Sequence, residues 1–245
     1  MHCASRSGAM PLFERPHHVR IARVLRALDG ALLRQRGCLF GGGTAIALRF
    51  GEYRESLDID FLVSDAAAYR ELRRAVTASD GWSAICRPGA TSDVQTGEWR
   101  ADQYGIRTRL QVDAQPIKFE IVFEARMGLE APGKGDELCG IATLTALDMA
   151  ASKLLANSDR WADDGVFSRD LIDLAMMKPA LPLLRAAVAK AEGAYGDAIR
   201  RDLQRAIDRM GARTGWLERC VHVMGMADAP AQVWQRVRAL RRVLA

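Results

Sequence analysis

The chain has 245 residues, 49% of them hydrophobic and 27% charged, which suits a folded protein of one large domain or two small ones. No apolar run approaches the roughly 18 residues of a membrane span, and the N-terminal MHCASRSGAMPLFERP lacks the apolar stretch of a secretory signal, so a cytoplasmic protein with no membrane partner is expected. A net charge of +5 mildly favours anionic partners such as nucleotides or RNA, although an arginine-rich genome composition produces the same excess.

In chain order, residues 1–15 carry no periodic pattern and are expected to be disordered; Met10 is an alternative start. Residues 16–36 place Val19, Ile21, Ala22, Leu25, Leu28, Leu32 and Leu33 at helical spacing and predict one helix ended by Gly37. A short strand, CLF at 38–40, runs into three glycines, and TAIALRF at 44–50 predicts a short helix stopped by Gly51. SLDIDFLV, 56–63, reads as a strand with Leu57, Ile59 and Phe61 packed inward, followed by an amphipathic helix over 66–78. WSAICR, VQTGEWRA, GIRTRLQVDA and PIKFEIVFEA, between about 83 and 125, are β-rich runs that predict an antiparallel extension of the sheet. PGKGDE at 132–137 is a breaker, and beyond 142 the pattern is helical. The predicted fold is α+β: an α/β domain over 16–140 built on a mixed sheet with flanking helices, then a helical domain over 141–245.

Asp58 and Asp60 stand at i and i+2 of the fourth segment and share one face of a strand. Two neighbouring carboxylates repel, and one is driven toward protonation unless cations are supplied. A pair of divalent ions about 3.5–4 Å apart is one remedy; solvent-facing strand aspartates are the plainer alternative. IKFEIVF, 117–123, alternates so that Lys118 and Glu120 share a face, and Glu120 completes a three-carboxylate nest if the two strands are neighbours. Glu124 competes for that role, and Asp113 is a weaker candidate. Gly42, Gly43 and Thr44 lie between a strand and a helix start, where backbone can approach a ligand closely and free N–H groups meet an anion. Metal nest and glycine loop together describe a site for a metal–nucleoside triphosphate. The spacing fits neither a P-loop nor a dinucleotide fingerprint. Five singly scattered cysteines without C-x-x-C, and histidines confined to the two ends, leave little material for a disulfide framework, a zinc site or a histidine triad.

The run GGTAIALRFGEYRESLDIDF resembles the first motif of the AbiEii-type nucleotidyltransferase toxins, of the DNA polymerase β-like superfamily, with one extra residue at Glu52-Tyr53. Phe119-Glu120-Ile121 is similar to the superfamily's later acidic step. LDMAASKLLANSDR and RDLIDL are similar to the family's lysine-bearing and Arg-Asp-rich helices, so the resemblance covers roughly 38–177. It implies that Asp58, Asp60 and Glu120 are catalytic and bind two Mg²⁺ ions. It implies a nucleotide site of Gly42, Gly43, Thr44, Arg54, Ser56, Lys118, Lys153 and Asn157, an NTP substrate, an acceptor hydroxyl on tRNA or protein, and a cognate antitoxin. A small-molecule nucleotidyltransferase of the antibiotic-modifying kind, and a non-catalytic module on the same fold, are the alternatives. Read from the residues alone, Lys153 also suits a solvated helix face, and Arg54 also suits a pair with Glu52 or Asp58. Asp170 and Asp173 suit a structural role, with Asp170 pairing Arg169 or Arg160.

Overall fold

The computed structural model describes residues 13–78, 81–90 and 94–244. Most of the N-terminal stretch expected to be disordered, residues 1–12, lies outside them. Of its remainder, the Glu14 and Arg15 amides donate to the Glu52 carboxylate.

Helix α1, Pro16–Ala27, starts on a proline and buries Ile21, Ala22, Val24 and Leu25. The single helix predicted over 16–36 is in fact two, since α2 spans Gly30–Gln35. Asp29 makes the break: its carboxylate caps α2 at the Leu32 amide, 3.0 Å, and Gly30 behind it is a poor helix former. Strand β1, Leu39–Gly41, leads directly into α3, Gly42–Arg49. Strand β2 runs only over Ile59–Val63, so Asp58 stands just before it and not within it. The preceding loop is held by other bonds: His18 Nε2 accepts from the Ser56 amide, and the Asp58 carbonyl accepts from Thr44 Oγ1. Leu57, expected inside, is 53% exposed for the same reason.

Helix α4, Ala66–Thr77, is capped by Asp65. WSAICR, expected as a strand, forms a 3-10 turn over Gly81–Ile85 that buries Trp82 and Ile85. VQTGEWRA contributes two very short strands, β3 at Gln95–Thr96 and β4 at Arg100–Ala101. The long hairpin is β5, Gly105–Val112, and β6, Gln115–Phe123. Asp113 sits in its turn at φ 52° and pairs with Arg23, which removes it from any carboxylate nest. A two-stranded ribbon, β7 at Glu137–Leu138 and β8 at Ile141–Ala142, precedes the helices. These are α5 (Ala146–Arg160), α6 (Arg169–Met176), α7 (Leu181–Tyr195), α8 (Ala198–Ala212), α9 (Trp216–Val223) and α10 (Pro230–Ala239).

The main sheet is mixed, in the order β1-β2-β6-β5-β3, with β4 also on β5. Of the strand pairs among the described residues, only β2 and β6 run parallel. Alternation along β6 sends Ile117, Phe119 and Ile121 into the core, where the Phe40, Phe61 and Phe119 rings pack tilted against one another at centroid distances of 5.5 and 5.6 Å. One apolar cluster continues from α1 through the sheet to α10. No helix among the described residues is long and apolar enough to cross a membrane.

Candidate active site

Parallel pairing sets the register that matters: Asp60 of β2 lies directly beside Glu120 of β6, and Gly41 of β1 lies on the other side of Asp60. Even-numbered residues of β6 face away from the core, so Lys118 and Glu120 open onto the same side as Asp60. The chain then turns into α3 over Gly42, at φ +66°. A Cβ on Gly42 would stand 2.5 Å from Asp60 Oδ2, so glycine is required here by both its dihedral and its contact. The start of α3 is thereby laid against a carboxylate.

Among the described residues, neither the Asp58 nor the Asp60 carboxylate accepts a hydrogen bond or an ion pair from a side chain or amide. Burial, then the neighbouring Asp58 charge, push the Asp60 carboxyl up to about 6; Glu120 adds to the push, and Lys118 and Lys153 oppose it. Glu120 is better supplied, since Arg107 Nε donates to it at 2.5 Å and Lys118 Nζ at 2.6 Å. Glu124, the competitor, is spent on Arg126, which grips both its oxygens at 2.9 and 2.7 Å. No three His, Cys, Asp or Glu side chains among the described residues are gathered closely enough to hold a metal as they stand. The donor chemistry nevertheless fits a hard divalent cation: all oxygen, with Asp60 short of positive charge and Glu120 held by two half-exposed cations that an ion can displace.

Behind the glycine loop lies a second cluster, buried except for Arg160 at its edge. Arg54 was expected to touch the nucleotide, Glu52 or Asp58. Its guanidinium is instead committed to Asp173 of α6, through Nε at 2.7 Å and Nη2 at 2.9 Å. The Tyr53 hydroxyl donates to the same carboxylate. Lys153 of α5 is buried and not solvated, 2.9 Å from Asp170 and 2.7 Å from Asp173. Asp170 pairs with Arg160, one of its two expected partners. Burial alone would pull the Lys153 ammonium down; Asp173 and Asp170 outweigh it and hold the lysine charged. Burial likewise works against Asp170 and Asp173, but Lys153 and Arg160 on the first, and Arg54 and Lys153 on the second, keep both carboxyls below the usual range. A Cβ on Gly43 would lie 2.2 Å from Arg54 Nη2 and 3.3 Å from Asp173 Oδ2. Gly43 therefore rests on this cluster as Gly42 rests on Asp60.

Ser56 is turned inward, its hydroxyl 2.7 Å from Thr44 Oγ1, so it ties the loop to α3 and does not point at a ligand. Asn157, one helical turn after Lys153, is buried with its amide nitrogen unpartnered. Three contributors were not anticipated. Arg107 and Arg109 share the Glu120 face, and the alternation of GIRTRLQV already carried that signal. His18, buried between Glu52 and the Ser56 amide, carried none, because its partners lie 34 and 38 residues away.

A family model described as Nucleotidyl transferase AbiEii toxin, Type IV TA system, matches residues 23–240. No curated protein sequence matches the chain. Among solved structures, MenT4, a nucleotidyltransferase toxin from Mycobacterium tuberculosis H37Rv, aligns with TM-score 0.53 and 22% identity over 92% of this chain and 82% of that one. JHP933 from Helicobacter pylori aligns with TM-score 0.51 and 14% identity over 93% and 90%. At these identities the structural likenesses show the shared fold.

Proposed function

The chain belongs to the AbiEii nucleotidyltransferase toxin family and is a nucleotidyltransferase, and we propose that it transfers a nucleoside monophosphate, with magnesium, from a nucleoside triphosphate to an acceptor hydroxyl on RNA or protein. The observation that carries this reading is the register of β2 and β6. It sets Asp60 beside Glu120, with Asp60 unpartnered directly under the start of α3.

In this reading Asp58, Asp60 and Glu120 would hold magnesium, which would supply positive charge at the reacting phosphate and the acceptor oxygen. The chain's own groups do the rest. The first amides of α3, at Gly42, Gly43 and Thr44, have no intrahelical partners and receive phosphate oxygens, aided by the helix dipole. Lys153 keeps a positive charge within electrostatic reach of Asp60, and Asn157 offers its free amide nitrogen on the same helix face. Arg54 and Ser56 act indirectly by fixing the loop beneath the phosphates. The acceptor oxygen bonds to the α-phosphorus in line with the departing bridge oxygen, pyrophosphate leaves, and Glu120 takes the hydroxyl proton. Alignment and charge stabilisation supply the acceleration, so no histidine is needed. Residues 16–140 carry the carboxylates and the loop, and residues 141–245 carry Lys153, Asn157 and the α6 aspartates. A cognate antitoxin keeps the activity in check.

The test is incubation of the protein with each α-labelled triphosphate, magnesium, total RNA and cell extract, with Asp60→Asn as control. Label on a macromolecule, abolished in the control, is the expected result. Label on a small molecule only would replace the acceptor, and no label with any triphosphate would remove the reaction.

A further inference from the structure

The two cations on Glu120 are not equivalent. Lys118 reaches Oε2 by a single bond, 2.6 Å long, from a side chain that is 51% exposed. Arg107 reaches Oε1 through Nε at 2.5 Å, and its Nη1 donates at 3.2 Å to Asp102 Oδ2, in the turn between β4 and β5. One guanidinium thus spans two carboxylates, a task that its rigid fork suits and a lysine ammonium does not. The far anchor is itself fixed. Asp102 Oδ1 accepts from the Tyr104 and Gly105 amides at 2.7 and 2.9 Å, and the Asp102 carbonyl accepts from the Tyr69 hydroxyl of α4 at 2.8 Å. The carboxylate therefore divides its work: Oδ1 closes the turn and Oδ2 serves Arg107. Gly105 supplies the seat. A Cβ there would lie 2.8 Å from Arg107 Nη2 and 3.1 Å from Cζ, so the guanidinium occupies space that any other residue would fill.

Position gives the two cations different work. Asp60 and Asp58 act on the Lys118 ammonium along with Glu120, whereas the anions that act most on Arg107 are Glu120 and Asp102. Oε2 therefore lies on the side of the aspartates, and Oε1 on the side of the β4–β5 turn. A cation arriving between Asp60 and Glu120 meets Lys118 first. That ammonium has one tether and a flexible stem, so it can leave without disturbing Arg107. Oε1 keeps its partner throughout. Holding that oxygen fixes the torsions of a side chain that would otherwise sample several rotamers. Such fixing matters at a reacting centre, where a misplacement of about 1 Å can cost about 10²-fold in rate.

We infer that Asp102 and Gly105 seat the Arg107 guanidinium so that it holds Glu120 by Oε1 and leaves Oε2 presented toward Asp60. Asp102 and Arg107 are then positioning residues for nucleotidyl transfer, and the inference rests on the transfer reading above. Three variants of the full chain displace the guanidinium by different means. D102N keeps the turn acceptor at Oδ1 and removes the anion facing Arg107. R107K keeps the charge and loses the fork. G105A keeps every charged group and fills the seat. Melting checks the fold. Binding of Mn²⁺ without triphosphate is read from the electron paramagnetic resonance of the free ion, and labelled transfer gives kcat and KM for Mg·NTP. In all three variants kcat should fall by about 10–100-fold, with Mn²⁺ binding weakened in parallel. The melting temperature should stay near that of wild type, and KM should stay within about twofold, because the nucleotide is anchored elsewhere. A general loss of structure would instead lower the melting temperature and raise KM together. Wild-type kcat and Mn²⁺ affinity in R107K and G105A would overturn the inference, because charge alone would then suffice. So would a D102N defect that neither of the other two reproduces. Weakened Mn²⁺ binding in all three, with no label transferred by the wild type, would support the brace and refute the transfer reading.

Discussion

Gly42 and Gly43 are adjacent in the chain and rest on opposite kinds of electrostatics. Under Gly42 is Asp60, largely buried, beside two more carboxylates and without a partner of its own. Under Gly43 is the Arg54–Asp173 pair, part of a cluster in which Lys153, Asp170 and Arg160 leave no charge alone. Both clusters are costly to bury, yet only the second is balanced by the protein itself. A saturated cluster fixes geometry whether or not a ligand is present. An unsaturated one suits a ligand that brings its cation from outside, as the reading proposed above requires.

Asp60→Asn should separate the two most sharply. It removes a repelling charge and a ligand while keeping the shape. Nucleotidyl transfer should fall by at least about 10²–10³, with a urea midpoint equal to or above that of wild type. A variant that unfolds would show that Asp60 is structural and would erase the contrast. The reverse is expected of Asp173→Ala, which leaves Arg54 and Lys153 buried without their shared anion. Urea unfolding should report a loss of about 3–5 kcal/mol; a loss under about 1 kcal/mol would mean that the cluster contributes nothing to the fold.

Acid and base should act on the two clusters with opposite sign. In metal-free buffer the folded protein holds the Asp60 proton up to about pH 6, above the range of the unfolded chain. Between pH 4 and 6 the folded state binds more protons, so stability falls as pH rises, by on the order of 3 kcal/mol in all. Asp170 and Asp173, held low, contribute stability that is present above about pH 4 and is lost as pH falls below it. Thermal melts of wild type against Asp60→Asn across pH 3–8 isolate the first effect, and parallel curves would refute it. The smallest effect concerns the ligand. A triphosphate in EDTA should leave the melting temperature unchanged, because the carboxylates repel it. With magnesium, a hundredfold excess over Kd should add about 2.7 kcal/mol. Equal stabilisation without magnesium would seat the phosphates away from Asp60.

What could be read without coordinates was what is periodic or contiguous. Alternation in IKFEIVF put Glu120 and Lys118 on one face, and the strand–glycine–helix order of residues 38–50 survived intact. Short-range competition overrides periodicity in two places. Asp29-Gly30 broke a helix that periodicity carried through, and the anchored loop before Ile59 shortened a strand and turned Leu57 outward. The partner of Arg54 was out of reach, because a pair 119 residues apart leaves no trace in spacing. Glu52 and Asp58 were nearer in sequence, but Glu52 is taken by His18 and by the amides of Glu14 and Arg15.

That separation has a consequence on the ribosome. Arg54 is translated 119 residues before Asp173, an interval of about 6–24 s at 5–20 residues per second. Throughout that interval the nascent glycine loop has no α6 beneath it, and Lys153, made later than the loop, has neither of its aspartates. The chain therefore completes the support under Gly43 only after α6 has emerged. A fragment that terminates before Asp173 would carry Asp58, Asp60 and Glu120 but not the anion that fixes Arg54 under Gly43.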